Sequence, residues 1–238
     1  MNNLNFLVDV LKESPVFKTL EKNVKPGRTV CASGLSTINK SNIIYALCHL
    51  KGVTAFCLAS DEKEAQTLCN DLSCMGLRAY VYPVRDFNFL DFQSRSHEYE
   101  HARLKVLLKL INHECDVAIA CVDAAAQLTV PKNVLEQSVI EFEEGRELSL
   151  EKATKALTLL GYERFDAVEG SGQFSLRGGI LDFFMPDSDY PVRCEFWGDE
   201  ITDLSYFDIE TQRRFKKADK ITLSPSTEIV IEDRAALA

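Results

Sequence analysis

The residues with the clearest chemical potential lie in GLSTINKS, Gly34–Ser41. A loop of the pattern GxxxxGK[ST] wraps phosphates in backbone N–H groups, carries its lysine to the terminal phosphates and sets a hydroxyl on magnesium. Gly34, Lys40 and Ser41 fall in register with that pattern, but Asn39 stands where a glycine precedes the lysine. Glycine there lets the backbone approach without a Cβ and take angles costly to other residues. Asparagine tolerates positive φ better than most side chains but adds bulk. An apolar strand-like run, Thr29–Ala32, precedes the segment and a helical pattern, Asn42–Leu50, follows it. Hydrolysis also needs an acidic metal partner at the end of another strand, usually Asp-Glu. The run Val117–Val122 ends in Asp123, followed by Ala124, and Asp199-Glu200 follows Gly198 in a predicted hairpin turn. No residue is therefore assigned a catalytic role. The segment is expected to be an inactive nucleotide loop, with two readings open: a structural strand-to-helix turn, or weak anion binding at the helix start.

The other reactive side chains offer less. The cysteines, Cys31, Cys48, Cys57, Cys69, Cys74, Cys115, Cys121 and Cys194, form no CxxC pair, and most sit in apolar runs such as VTAFCLAS and VAIACVD. Buried free thiols of a cytosolic protein are expected rather than disulfides or zinc. The four histidines show no spacing that a cysteine or carboxylate pair completes, so no metal site is expected. The formal charge of −9 counts against a nucleic-acid clamp spanning the whole chain, because duplex binding relies on basic surface, though a local basic patch stays open. No apolar run approaches the ~20 residues of a membrane span. The start, MNNLNFLVDVLKESP, lacks a basic region and an apolar signal core, so a cytoplasmic location without membrane association is expected.

The elements that would position these residues alternate in the first half. Thr29–Ala32, Val53–Ala59, Arg78–Tyr82 and Asp116–Val122 read as strands, and Asn42–Leu50, Glu62–Met75 and Glu98–Asn112 as helices. Asp61 is a predicted N-cap and Gly76 a C-terminal stop. Leu4–Phe17 reads as a helix broken near Pro15. Such alternation predicts a largely parallel sheet with right-handed crossovers. After about Pro131 the pattern changes. Val139–Phe142 is strand-like and Ser149–Leu160 helical, with Ser149 as cap and Gly161 as stop. Hairpin-rich strands follow at Arg164–Val168, Gln173–Arg177, Ile180–Phe184, Val192–Trp197 and Ile201–Asp208, with turns at Gly178-Gly179, Pro186-Asp187 and Gly198-Asp199. The tail after Ile221 is mixed and stops without a terminal signature, and the chain is expected to be a fragment of a longer protein. The fold class is α/β: a parallel-sheet domain over 1–130, an α+β domain with an antiparallel sheet over 131–220, and the start of a return into the first domain over 221–238.

The run GQFSLRGGILDFFMPDSDYPVRCEFWGDEITDLSYFDIETQRR, Gly172–Arg214, closely resembles a stretch of the bacterial transcription-repair coupling factor (Mfd) family, and more loosely UvrB. YPVRDFNFLDFQSRSHEYEHARLKVLLKL, Tyr82–Leu110, resembles the segment after that family's third strand and includes the arginine of "ARL", Arg103. The resemblance implies a degenerate P-loop, helicase-like first domain, matching UvrB domain 1a, with an inserted domain 2 and a return into 1b. UvrB keeps an intact loop, so Asn39 and the missing acidic partner favour coupling factor over the alternative, a UvrB-type nucleotide-dependent repair enzyme. No extended aromatic hairpin for gripping DNA is expected between Asp86 and His101. The implied parent is an ATP-dependent DNA translocase that displaces stalled RNA polymerase and recruits UvrA. Its ATP, Mg and DNA chemistry lies in a downstream motor, and no cofactor is implied for this fragment. Domain 2 is the implied UvrA-binding surface, masked at rest by a C-terminal domain of the same protein.

The resemblance carries over Arg164, in the "GYxR" position, Arg177 of "RGG", and Phe184 at the end of "ILDFF" as the interface with UvrA, with Arg193 as a further candidate. Arginine suits bidentate recognition and is enriched at interface hot spots. Plainer readings stand beside each: Arg177 satisfying carbonyls in a tight turn, Phe184 as core, Arg193 as an outward solvated residue. Trp197 reads as core. Arg213-Arg214 with Lys216-Lys217 reads as a solvated turn, with a phosphate contact as the minor option.

Overall fold

The computed structural model describes residues 5–85, 97–137 and 140–228. The stretch expected to lack a DNA-gripping hairpin, and most of the return segment, fall largely outside these residues. The chain divides into two compact units, Met1–Val84 with Asn112–Gln127, and Arg85–Ile111 with Leu128–Ala238.

The first unit carries helices α1 (Asn5–Glu13), α2 (Pro15–Asn23) and α3 (Thr37–Lys51), strand β1 (Ala55–Ala59), helix α4 (Glu62–Cys74) and strand β2 (Ala79–Tyr82). The chain then enters α5 (Glu98–Ile111), which belongs to the second unit, and returns as strand β3 (Val117–Cys121) and the one-turn helix α6 (Val122–Ala125). Ser14 ends α1, and its side chain accepts a hydrogen bond from Phe17 N to start α2, with Pro15 at the first helical position, where its missing N–H costs nothing. Asp61 caps α4 by accepting from Glu64 N at 2.8 Å. The sheet is parallel in the order β1-β3-β2, with Ala55 and Ala79 both opposite Val117. The central β3, VAIAC, is buried at every position, as a strand covered on both faces must be. The expected strand Thr29–Ala32 does not form. Its residues take no regular secondary structure, are largely exposed and pair with no strand, so the apolar run alone misplaced it.

The second unit adds α7 (Lys132–Gln137), β4 (Ile140–Glu143), α8 (Leu150–Leu159), β5 (Glu163–Arg164), β6 (Gln173–Arg177), β7 (Ile180–Phe183), β8 (Val192–Trp197), β9 (Glu200–Phe207), β10 (Arg214–Lys217) and β11 (Lys220–Leu223). Six of these strands form a sheet in the order β10-β9-β8-β7-β6-β5, antiparallel except for the β5–β6 pair, while β4 and β11 pair antiparallel. The core-facing row carries Phe174, Leu181, Phe183, Val192, Cys194, Phe196 and Leu204, and α8 packs Ala153 and Leu157 into the same cluster. Each fully buried Leu or Phe here contributes about 1.5–3 kcal/mol. Two expected elements changed. Arg164–Val168 shortens to β5, because Asp166 O accepts from Ser175 Oγ, and Gln173 Oε1 accepts from Glu169 and Gly170 N–H, bending the chain off the sheet. The basic Arg213–Lys217 run, expected as a turn, is the edge strand β10. Arg214 pairs with Glu195 and Asp203, and Lys217 with Glu144, which neutralises much of its charge across the strands.

Five of the eight cysteines are buried, and all eight are free thiols. Burial pushes the Cys57 and Cys115 thiols to about 11 and the Cys194 thiol to about 12. Among the described residues, no helix is long and apolar enough to cross a membrane.

The end of the described chain is held by α5. Arg103 has no exposed side-chain surface, and its Nε donates to Glu228 Oε1 at 2.6 Å, while Arg85 pairs with the other carboxylate oxygen. Glu100 Oε1 accepts from Glu228 N at 2.7 Å and from Thr227 Oγ1 at 2.8 Å. Burial alone would push the Glu100 carboxyl up, but those two donors and His97 hold it below its usual range. Gly161 ends α8 at φ +89°, and a Cβ there would lie 2.5 Å from Thr227 Cγ2, so only glycine admits this approach. Removing one partner of a buried pair strands the other charge. Glu228→Ala is expected to lower the unfolding free energy by about 3–5 kcal/mol in urea titration, and an unchanged midpoint would refute the role given to this pair.

Candidate functional site

Opposite the core row, the six-stranded sheet carries a polar row. Ser175, Asp182, Arg193 and Ser205 stand directly across from one another on four adjacent strands, which places their side chains on one face. Asp182 is 1% exposed. A buried carboxylate needs paired cations, and it has two. Arg193 approaches in fork geometry, Nε to Oδ1 at 2.7 Å and Nη2 to Oδ2 at 2.8 Å, and Arg177 Nη2 reaches Oδ2 at 2.7 Å. Hydrogen bonding to Asp182 raises the Arg193 pKa further above its ordinary value.

The two arginines differ in what they leave available. The Arg193 side chain is only 12% exposed. It also donates to Gln212 O and Gln212 Oε1, and its guanidinium lies 4.3 Å from the Phe207 ring centroid. Arg193 is thus inside the fold and holds Asp182, in contrast to the outward solvated reading. The Arg177 side chain is 49% exposed, tethered at one nitrogen with the rest of its fork open to solvent. The Gly178-Gly179 turn that follows fixes its position. Gly178 takes φ +61°, and a Cβ on Gly179 would come within 2.7 Å of Phe196 O. Arg177 thus sits at the glycine turn as the plainer reading expected, although the group that it satisfies is a carboxylate and not a carbonyl.

Arg164 lies on the exposed edge strand β5, paired with Phe174. Phe174 faces the core, so by register Arg164 alternates to the side opposite Arg177. The two are brought to adjacent strands but not to one face. Phe184 follows β7 and is half-buried, its N–H donating to Gln173 O and its carbonyl accepting from Gly172 N. Phe165, next to Arg164, is exposed. Trp197, expected in the core, is instead exposed on the β8–β9 hairpin. The unbroken alternation of β8, with Val192, Cys194 and Phe196 inward, sends Trp197 outward.

GLSTINKS takes a form of its own in the first unit. Gly34 sits at φ +76°, but α3 begins at Thr37, three residues before Lys40. Lys40 N–H is therefore already bonded to Ser36 O at 3.0 Å, inside the helix, where a phosphate loop would offer it to an anion. Lys40 Nζ pairs with Glu64 at 2.8 Å, and buried Ser41 donates to Asp71 at 3.0 Å. Hydrogen bonds from Lys40 and from the Ser60 N–H and hydroxyl hold the Glu64 carboxyl down to about 2. The acidic partners of this lysine and serine come from α4, which no strand-end motif in the sequence announced.

Comparison with known proteins places the arginine-bearing sheet in context. Residues 140–229 match the family described as the UvrB interaction domain. Over most of its length the chain is similar to proteins named transcription-repair-coupling factor. That of Bacillus subtilis (strain 168) is 28% identical over 224 residues, 93% of this chain and 19% of the relative. That of Staphylococcus aureus (strain USA300) is 24% identical over 232 residues, 97% of this chain and 20% of the relative. That of Staphylococcus haemolyticus is 28% identical over 154 residues, 65% of this chain and 13% of the relative. The chain thus spans about a fifth or less of the length of these curated relatives, and the resemblance read from its motifs is found again by both comparisons.

The weights of the three charges on the polar face can be separated by substitution. Asp182→Ala leaves Arg193 largely buried without its carboxylate and is expected to lower unfolding stability by about 3 kcal/mol or more. Arg177→Ala removes a half-exposed partner and is expected to lower it by about 1 kcal/mol or less. Equal losses in urea denaturation would contradict the assignment of Arg193 as the holder and Arg177 as the free hand.

Proposed function

We propose that this chain is a recruitment module of transcription-coupled excision repair whose partner is UvrA. The observation that carries the reading is Arg177, held by buried Asp182 yet open to solvent, inside the segment that matches the UvrB interaction domain. A preorganised arginine loses less side-chain freedom on binding than a free one, and its fork suits a partner carboxylate. Arg164 extends the surface around the β5 edge, with Phe165 and half-buried Phe184 as its apolar neighbours. Arg193 contributes by fixing Asp182.

On this reading the chain itself is non-catalytic and needs no cofactor. Displacement of stalled RNA polymerase, translocation on DNA and the ATP and Mg that drive it belong to other parts of a longer protein, including a C-terminal domain that masks the face at rest. The first unit descends from a helicase-type nucleotide fold, and GLSTINKS serves it as a helix start. The commitments of Lys40 and Ser41 to Glu64 and Asp71 support this over a nucleotide-dependent enzyme.

Two measurements test these statements. Arg164→Ala with Arg177→Ala is expected to reduce UvrA binding by about a hundredfold, taking ~1.4 kcal/mol or more per arginine anchor, with the far-UV spectrum unchanged; retained affinity would sink the site. Millimolar Mg-ATP is expected to leave the melting temperature unmoved, whereas a nucleotide site would raise it through ligand linkage.

A further inference from the structure

Trp197 is the chain's one tryptophan, and it is 82% exposed. It makes no ring contact among the described residues, whereas the exposed Tyr190 and Phe215 pack edge to face on each other at 4.7 Å. The hairpin beneath it is not loose. Phe196 N donates to Gly179 O at 2.8 Å, Leu148 N to Asp199 O at 2.7 Å, Ile201 N to Arg146 O at 3.1 Å and Gly145 N to Ile201 O at 2.7 Å. Glu147 bridges Glu200 in antiparallel register. Backbone bonds on both sides thus present a large indole to water with no packing in return, the arrangement of a preformed anchor.

Its position relates it to Arg177. The Gly178-Gly179 and Gly198-Asp199 turns lie at the same end of the sheet, because β6 and β8 run in the same direction. Phe196 points into the core, so Trp197 takes the opposite face, that of Arg177, Asp182 and Arg193. Two strand spacings, roughly 10 Å, separate Trp197 from Arg177 across the sheet, and about 7 Å along it. Exposed Glu200 stands directly across from Trp197, exposed Glu147 bridges Glu200, and exposed Asp199 lies in the turn between the two strands. Acidic side chains beside an open indole favour a cationic group twice, by charge and by attraction to the ring face.

We propose that Trp197 is the aromatic anchor of the partner-binding face and that, with Asp199 and Glu200, it receives an arginine or lysine of UvrA while Arg177 takes a carboxylate. The proposal rests on the recruitment reading above. The chain labelled with fluorotryptophan has a single fluorine resonance, which allows a direct test by titration with unlabelled UvrA. The resonance is expected to shift or broaden on binding. Trp197→Ala is expected to weaken binding tenfold or more with an unchanged urea midpoint, and Trp197→Phe to recover part of the loss. If the chain binds UvrA and Arg177→Ala weakens that binding, but the resonance stays still and Trp197→Ala binds as the parent does, the anchor is overturned and the recruitment reading stands. If the unmodified chain does not bind UvrA at all, both fall together.

Discussion

The buried carboxylate of Asp182 is the constraint on which the candidate face depends. Burial of an ionised group is tolerated only with paired cations and satisfied oxygens, and Asp182 meets that condition by drawing on β6 and β8 from its place on β7. The strand register then admits little freedom. A slip by one residue would turn Asp182 into the aromatic core and Phe183 out to water. Arg193 is immobilised between Asp182, Gln212 and the Phe207 ring, and the neighbouring Arg177 is left tethered at one end and open at the other. A single buried charge thereby converts a flexible surface arginine into a directed one.

The first unit uses similar chemistry to an opposite end. At Lys40 and Ser41 the acidic partners on α4 occupy the ammonium and the hydroxyl, and the helix consumes the Lys40 N–H. At Arg177 an acidic partner occupies only part of the guanidinium. The Lys40 and Arg177 side chains each leave about half their surface in water; the difference is that the Lys40 N–H is spent inside a helix beside buried Ser41, whereas Arg177 leaves a sheet at a glycine turn.

Much of this was legible in the sequence where the local period and the tertiary demand agreed. Gln173–Arg177 and Val192–Trp197 formed as their alternation predicts, Ser149 and Asp61 cap their helices, and the alternating first half gives a parallel sheet. What failed had nonlocal causes. Thr29–Ala32 has a strand's composition, but nothing in the run itself specifies whether a partner strand is available. Arg213–Lys217 looked too charged for a strand until cross-strand Glu195, Asp203 and Glu144 neutralised it. Trp197 looked like core by residue type alone, whereas the alternation of VRCEFW, with Phe196 inward, turns it to water. The motif resemblance gave Arg177 its place, whereas Asp182, the residue that organises it, was hidden within "ILDFF" as one polar letter among apolar ones.

The central claim is that the arginine-bearing sheet of the second unit meets UvrA. Amide hydrogen exchange of the chain with and without UvrA tests it most directly, because it reads every segment at once. The account predicts new protection concentrated at Glu163–Phe165 and at Arg177–Gly179, with the first unit, Gly34–Ser41 included, exchanging as in the free chain. Protection centred on Gly34–Ser41 or the β1–β3 sheet, with the second unit unchanged, would contradict it.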